Sequence, residues 1–321
     1  MTLTAPPSAG LLPPGLGRAR RRVGCRPRET ILRHGSDEQY HRLVAPTATG
    51  ERRICFAITE PDAGTNSFRI ETSLRGAGDR AYVLNGNKTF ISGGDAADSM
   101  TVVARSTPLT AVPDRRKGLV PAVIETDRRG VELQPMDIDL VLADRQFTVW
   151  FTDVAVAPGD PVGEIDDGFA YLFDALNSER LLVAAWAIGL GDFALSRAVG
   201  YGRERAPFGT PIGAYQAVQH PLARARVQLD AARLMMYPAA QIFEDGGRTG
   251  YMANAAKLLT SEAAVAACDV AIETHGGSAF DRSVDLATIW PIARLLRIAP
   301  IDNEMVLNFI GEHVLGLPRS Y

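Results

Sequence analysis

Tyr82-Val83-Leu84-Asn85-Gly86-Asn87-Lys88-Thr89-Phe90 sets two β-prone runs around an Asn-Gly pair. Asn-Gly accepts positive φ at both central positions of a type I′ turn, which folds one strand back antiparallel to the one before it. The stretch therefore predicts a hairpin turning at Asn85-Gly86. The same chemistry recurs on both sides. Ile54–Thr59, Phe68–Leu74, Met100–Ala104, Leu119–Glu125 and Gln146–Val156 are rich in β-branched and aromatic residues, with Gly, Asp and Pro clusters between them. Strands at this spacing, with no helical period between them, imply a sandwich or barrel rather than a parallel sheet. Pro158, Gly159 and Pro161 close the block, which gives a β domain over 51–158.

From Gly168 the period changes. Phe169, Leu172, Phe173, Leu176, Leu182 and Ala185 recur at three- and four-residue steps, the mark of a helix with one apolar face. Further helices are predicted over Tyr215–Glu244, with kinks at Pro221 and Pro238, over Met252–Thr274, and over Glu304–Leu315. Gly276 is the expected left-handed cap of the third. The fold class is α+β: an antiparallel β-sandwich or barrel domain, then a C-terminal helical bundle over 159–321.

Composition excludes several classes of function. The 321 residues carry 34 Lys+Arg against 37 Asp+Glu, a net charge of −3, so no global basicity points to nucleic acid. Three cysteines (Cys25, Cys55, Cys268) are too few for a disulfide framework, and the five histidines show no metal-ligand spacing. The longest apolar stretch, Leu181 to Leu190, is about half of what a membrane span needs, so a cytoplasmic protein is expected. Residues 1–28 differ from the rest, with paired prolines and six arginines but no acid before Glu29. The prolines oppose the amphipathic helix of a transit peptide, and a disordered or altered start fits better.

Two local motifs offer cofactor chemistry. Gly189-Leu190-Gly191-Asp192-Phe193-Ala194 matches the G-x-G-x-x-A dinucleotide fingerprint, but the residues before it continue a helical period and no βαβ unit surrounds it. Close helix packing explains these glycines better. Thr59-Glu60-Pro61-Asp62-Ala63-Gly64-Thr65-Asn66-Ser67 is a polar turn at the end of a strand. Its hydroxyls and free backbone N–H groups can cradle a phosphate or the rim of a flat cofactor.

That turn resembles the signature of the acyl-CoA dehydrogenase family, and three further segments resemble the family's motifs in the same order. They are Asn85-Gly86-Asn87-Lys88-Thr89-Phe90-Ile91-Ser92-Gly93-Gly94, Arg205-Ala206-Pro207-Phe208-Gly209 with Ile212 and Gln216, and Glu273-Thr274-His275-Gly276-Gly277. Several ordered motifs are far more specific than one. The resemblance runs over about Glu29 to Tyr321. It implies FAD, an acyl-CoA substrate, an electron-transferring flavoprotein as acceptor, a homodimer or homotetramer, and a place in fatty acid metabolism. Ile58, Thr59, Gly64 and Thr65 would contact the flavin or its pyrophosphate. Phe90 would cover the ring system and Ser92 would hydrogen-bond near N5. Arg205, Phe208, Gln216, Gly276 and Gly277 would reach the adenine half, typically across a subunit interface.

The resemblance also shows departures. The family's usual C-terminal catalytic Glu is matched here by Ala299, so Glu179, on the first bundle helix, is the candidate base, with Asp302 and Glu304 as fallbacks. Ser278-Ala279 and Pro291-Ile292 replace usual family residues, and Pro238 falls in an expected helix interior. Of the family's N-terminal helical domain only a remnant over 29–50 is expected, the rest being largely missing. Two alternatives to a dehydrogenase follow: a truncated non-catalytic homologue acting only through oligomerisation, and a flavin-dependent acyl-CoA reductase.

Overall fold

The computed structural model describes residues 26–78 and 81–319. The arginine-rich start falls outside the described residues as far as residue 25. Helix α1 (Arg26–His34) and the short helical turns Asp37–Gln39, Tyr40–Val44 and Ala45–Thr49 lead into the sheet. Ile31, Leu43 and Val44 pack against Ile54, Val123 and Val162, which fixes this helical lead on the β domain.

Seven strands follow: β1 (Ile54–Ala57), β2 (Ser73–Gly76), β3 (Tyr82–Ser92), β4 (Ser99–Arg105), β5 (Leu119–Glu125), β6 (Val131–Pro135) and β7 (Gln146–Val156). They form one sheet in the order β1-β4-β2-β3-β7-β6, with β5 paired to β4. The sheet is a curled half-barrel. Most pairs are antiparallel, as expected, but β1 runs parallel to β4, and Ser73 pairs parallel with Arg105. The inner face gathers Leu84, Met100, Val102, Val120, Ile124, Phe147, Val149 and Val154. Phe68 lies in a short 3-10 turn, Ser67–Arg69, rather than a strand.

Asn85-Gly86 is not a turn. β3 runs unbroken through it, pairing with β2 on one side and β7 on the other, and the chain reverses between Gly76 and Tyr82 instead. Gly86 sits at φ +141 at a break in the β3–β7 register, and a Cβ there would lie 2.7 Å from Thr72 Cα. The glycine serves close approach of the next strand, not reversal. Asn85 meets Asp153 across the sheet, donating from Nδ2 to Oδ1 at 3.0 Å and accepting the Asp153 N–H at 2.9 Å. Gly86→Val adds strain to a steric clash and is expected to lower unfolding free energy by more than about 1 kcal/mol, as read by urea denaturation.

The second half is helical: α2 (Gly168–Glu204), α3 (Gln216–Glu244), α4 (Gly250–His275), α5 (Leu286–Leu295) and α6 (Asn303–His313). The interfaces are lined with alanines (Ala184, Ala187, Ala194, Ala198, Ala256, Ala264, Ala267, Ala271) around Leu229, which lets the helices approach closely. α2 passes a length-and-composition test for a bilayer span, but 44% of its most apolar window is buried within this bundle. Gly189 to Ala194 lie inside α2, and a Cβ at Gly191 would meet Leu229 at 2.5 Å, so this glycine permits helix packing. α3 runs through both Pro221 and Pro238, and α5 forms around Pro291. Gly276 ends α4 at φ +58, ψ −138, which is not the left-handed cap that its sequence suggests.

Candidate active site

A buried ion pair builds one wall of the site. On β3, Leu84 and Lys88 fall on the same inward face, so Lys88 enters the core, where it is fully buried. Its Nζ donates to Glu60 Oε1 at 2.8 Å and to the Ile58 carbonyl at 2.9 Å. Glu60 accepts two further bonds, from the N–H groups of Glu71 (2.7 Å) and Thr72 (2.9 Å). Thr89 N–H donates to the Thr59 carbonyl at 2.9 Å. Ile58 and Thr59 are thereby fixed beside β3 at the point where β1 ends. Burial lowers the Lys88 ammonium to about 8 against the pull of the Glu60 charge. Burial raises Glu60, but the Lys88 charge and the donated hydrogen bonds outweigh it and hold the carboxyl below its ordinary value.

From that anchor the chain turns. Glu60 and Ala63 exchange backbone hydrogen bonds around Pro61-Asp62, a tight turn that delivers Gly64 and Thr65 to the surface. A Cβ on Gly64 would meet nothing within 4 Å, so a ligand can approach its backbone closely. Phe90 lines the same cleft as this turn. It holds φ +58 at an irregularity in β3 and exposes 58% of its surface. A left-handed backbone at a bulky aromatic costs about 1–3 kcal/mol and persists only where the surroundings enforce it. Here the strain turns an apolar ring outward into the cleft. Ser92, two residues on, donates to Gln146 Oε1 at 3.0 Å.

The helices supply a second stretch of the lining. Glu179 and Arg180 sit on α2, both buried, with Glu179 only 4% exposed, and both line the cleft. Arg180 donates from Nη1 to Asn177 at 2.9 Å, while its Nε has no hydrogen-bond partner. Burial brings the Arg180 guanidinium down to about 10, against the Glu179 charge. Lys257 on α4 donates to the carbonyls of Arg297 (3.1 Å) and Ile301 (2.6 Å) and to Asn303 Oδ1 (2.7 Å). It thus fixes the segment between α5 and α6, whose Ile298, Ala299, Pro300 and Asp302 form another part of the lining. Asp302 accepts from Met305 N–H at 2.7 Å and from Thr65 Oγ1 at 3.0 Å, tying the β-domain turn to α6.

One cleft of about 3830 Å³ brings together Ile58, Thr59, Gly64, Thr65, Phe90, Ser92 and Glu179. Pockets for one small molecule run to roughly 300–1,000 Å³, so this one has room for a cofactor and a substrate together. Eight arginines and five carboxylates line it, which favours anionic ligands although the chain as a whole is negative. Among the lining acids, Asp192 and Asp230 pair with Arg226 and Arg233, Asp302 is capped on both oxygens, and Asp144 is exposed. Glu304 is exposed and lies outside the lining. Of the five carboxylates that line the cleft, Glu179 is the buried one.

Arg205, Phe208, Gln216, Gly276 and Gly277 do not join this group. All five are exposed, and Phe208 shows 85% of its surface. Sequence patterns also do not single out Lys88 with Glu60, Lys257, or the unpartnered Nε of Arg180. A lysine at an inward strand position was the available signal for the first.

Two family models match the chain: "Acyl-CoA dehydrogenase, middle domain" over residues 55–154 and "Acyl-CoA dehydrogenase, C-terminal domain" over 166–315. An acyl-CoA dehydrogenase of Mycobacterium tuberculosis is 42% identical over 296 residues, spanning 91% of this chain and 74% of the relative. A 3-(aryl)acrylate reductase of Clostridium sporogenes is 30% identical over 282 residues, spanning 88% and 74%. Among solved structures, an FAD complex of PigA superposes with a TM-score of 0.85 at 26% identity, covering 94% of this chain and 78% of that one.

Proposed function

Because the chain belongs to the acyl-CoA dehydrogenase family, we propose that it binds FAD and catalyses α,β-dehydrogenation of an acyl-CoA thioester with Glu179 as the base. The observation that carries this reading is the meeting of a buried carboxylate, an outward-strained aromatic and an open polar turn around one cleft. These residues fit a flavin. Phe90 offers a flat apolar face. Within the described residues, the N–H groups of Gly64, Thr65 and Asn66 have no intramolecular acceptor and suit a diphosphate.

When bound, FAD supplies the acceptor for the hydride that leaves Cβ of the thioester. Glu179, buried in the cleft wall, would take the α-proton. Arg180 beside it offers a guanidinium whose Nε is free to hold charge that the reaction creates. Ile58 and Thr59, fixed by Lys88 and Thr89, line the cofactor side. Ser92, whose hydroxyl lines the same cleft, would be a hydrogen-bonding group for the ring system. Arg205, Phe208, Gln216, Gly276 and Gly277 serve the adenine half of a cofactor held by a second copy of the chain, which accounts for their exposure here. An electron-transferring flavoprotein takes the electrons onward.

The C. sporogenes relative, named as a reductase, supports a second reading with the same residues, in which Glu179 returns a proton to Cα while an enoyl thioester is reduced. An anaerobic visible spectrum of the protein after incubation with excess FAD tests both. Bleaching of the flavin band by a saturated acyl-CoA supports dehydrogenation. Reoxidation of chemically reduced protein by an enoyl-CoA alone supports reduction. Absence of a flavin band overturns both and leaves a non-catalytic homologue.

A further inference from the structure

Ser92, the last residue of β3, pairs across the sheet with Gln146, the first residue of β7. Both line the cleft, two residues along β3 from the strained Phe90. The Ser92 hydroxyl donates to Gln146 Oε1 at 3.0 Å. At its other end the Gln146 amide is anchored, since Nε2 donates to the Asp144 carbonyl at 3.3 Å. That anchor fixes which end of the amide faces Ser92: the carbonyl oxygen, a pure acceptor.

The backbone holds the pair on both sides. Met136 N–H donates to the Gln146 carbonyl and Gly93 N–H to the Arg145 carbonyl, each at 2.8 Å. A hydroxyl has a single hydrogen. With that hydrogen committed to Gln146, Ser92 Oγ presents only lone pairs to the cleft. It therefore favours a partner that carries an N–H and opposes one that presents a lone pair.

A flavin presents one or the other according to its redox state. Oxidised N5 carries a lone pair. The hydride that leaves Cβ brings both electrons and stays on N5 as the hydrogen of an N–H, so reduced N5 is a donor. We propose that Gln146 is a positioning residue: it locks the Ser92 hydroxyl as an acceptor toward N5 and so biases bound FAD toward its reduced form. The inference rests on the flavin reading above. Such a bias helps the cofactor to take a hydride and hinders it in giving one up, which favours the dehydrogenase direction over the reductase one. The charges around the pair are the exposed Asp144, and Arg145 with Asp95 at 3.4 Å. An uncharged replacement of Gln146 leaves all three in place, so the effect of the hydrogen bond is read alone.

The test uses the full chain loaded with FAD and reduced chemically beside a reference dye, so that no thioester is needed. Gln146→Leu frees the Ser92 hydroxyl to donate to oxidised N5. Its preference for reduced over oxidised flavin is expected to fall about fivefold to tenfold, a drop of about 20–30 mV in the two-electron midpoint potential. Oxidised FAD should bind the variant at least as tightly as wild type. Ser92→Ala removes the acceptor and should lower the potential too, and adding Gln146→Leu to it should then change nothing further. An unchanged or raised potential in Gln146→Leu would overturn the proposal, as would an equal drop when Ser92 is already replaced. Gln146→Met serves for the same measurement if the leucine variant does not fold. These potentials decide the role of Gln146 even where no acyl-CoA bleaches the flavin and the dehydrogenase reading has failed. A wild-type protein that takes up no FAD overturns both.

Discussion

Glu179→Gln stops flavin reduction. Stopped-flow mixing of the FAD-loaded variant with acyl-CoA under anaerobic conditions is expected to show the flavin band bleaching at least about a hundredfold more slowly than wild type, the usual minimum for loss of a general base. The amide keeps the size of the carboxylate and most of its hydrogen-bonding reach, so FAD content and melting temperature should match wild type. The expectation follows from the burial of Glu179 in the cleft, where the other lining carboxylates are held by partners or lie nearer the surface. Asp192 and Asp230 are neutralised by arginines, Asp302 caps α6 while holding Thr65, and Glu304 lies outside the lining. Bleaching at the wild-type rate would remove Glu179 from the reaction and return attention to Asp302.

Lys88→Met produces the largest loss of stability. The substitution leaves Glu60 charged, buried and short of its cation, a change that costs about 3–5 kcal/mol in comparable sites. Equilibrium denaturation of the apoprotein measures it. A second substitution, Glu60→Leu, removes the stranded charge, and the double variant should recover a substantial part of the loss. Acid separates the electrostatic share from packing. Glu60 titrates below its ordinary value in the folded protein, so its contribution is fully present above the unfolded carboxyl's value near 4.5 and fades as pH falls through the lower folded value. The stability gap between wild type and Glu60→Gln should therefore narrow on acidification. A gap that stays constant down to acid unfolding would mean that shape, not charge, makes the difference.

Both predictions turn on residues that differ in how visible they are from sequence. β5 and β7 match the runs read from β-branched content residue for residue, Leu119–Glu125 and Gln146–Val156, because β5 is buried along nearly its whole length and β7 on near-alternate positions, and both leave a readable apolar pattern. β6 (Val131–Pro135) has no such pattern, because it is short and three of its five residues are exposed. Asn85-Gly86 misled because local turn chemistry is a weak preference, and pairing on both sides of β3 overrides it. α5 went unread because Pro291 sits inside it. In the site, the residues that resemblance named in the β domain, together with Glu179, converge on one cleft. The residues that hold them there, Lys88, Glu60 and Lys257, act through carbonyls and buried amides far apart in sequence, and no local pattern displays such contacts.

The length of α2 has a consequence for how the protein keeps its cofactor. At about 1.5 Å per residue, the 26 steps from Glu179 to Arg205 place them about 39 Å apart along a single rod. That rod works as a ruler: no loop adjustment brings Arg205 or Phe208 back to the end where Glu179 sits. Under the proposed assembly, a flavin held by Thr59 and Phe90 and also by an Arg205 side chain would draw on two chains, and cofactor affinity and self-association would become one linked equilibrium. Dilution alone is then expected to release flavin, and added flavin to draw chains together.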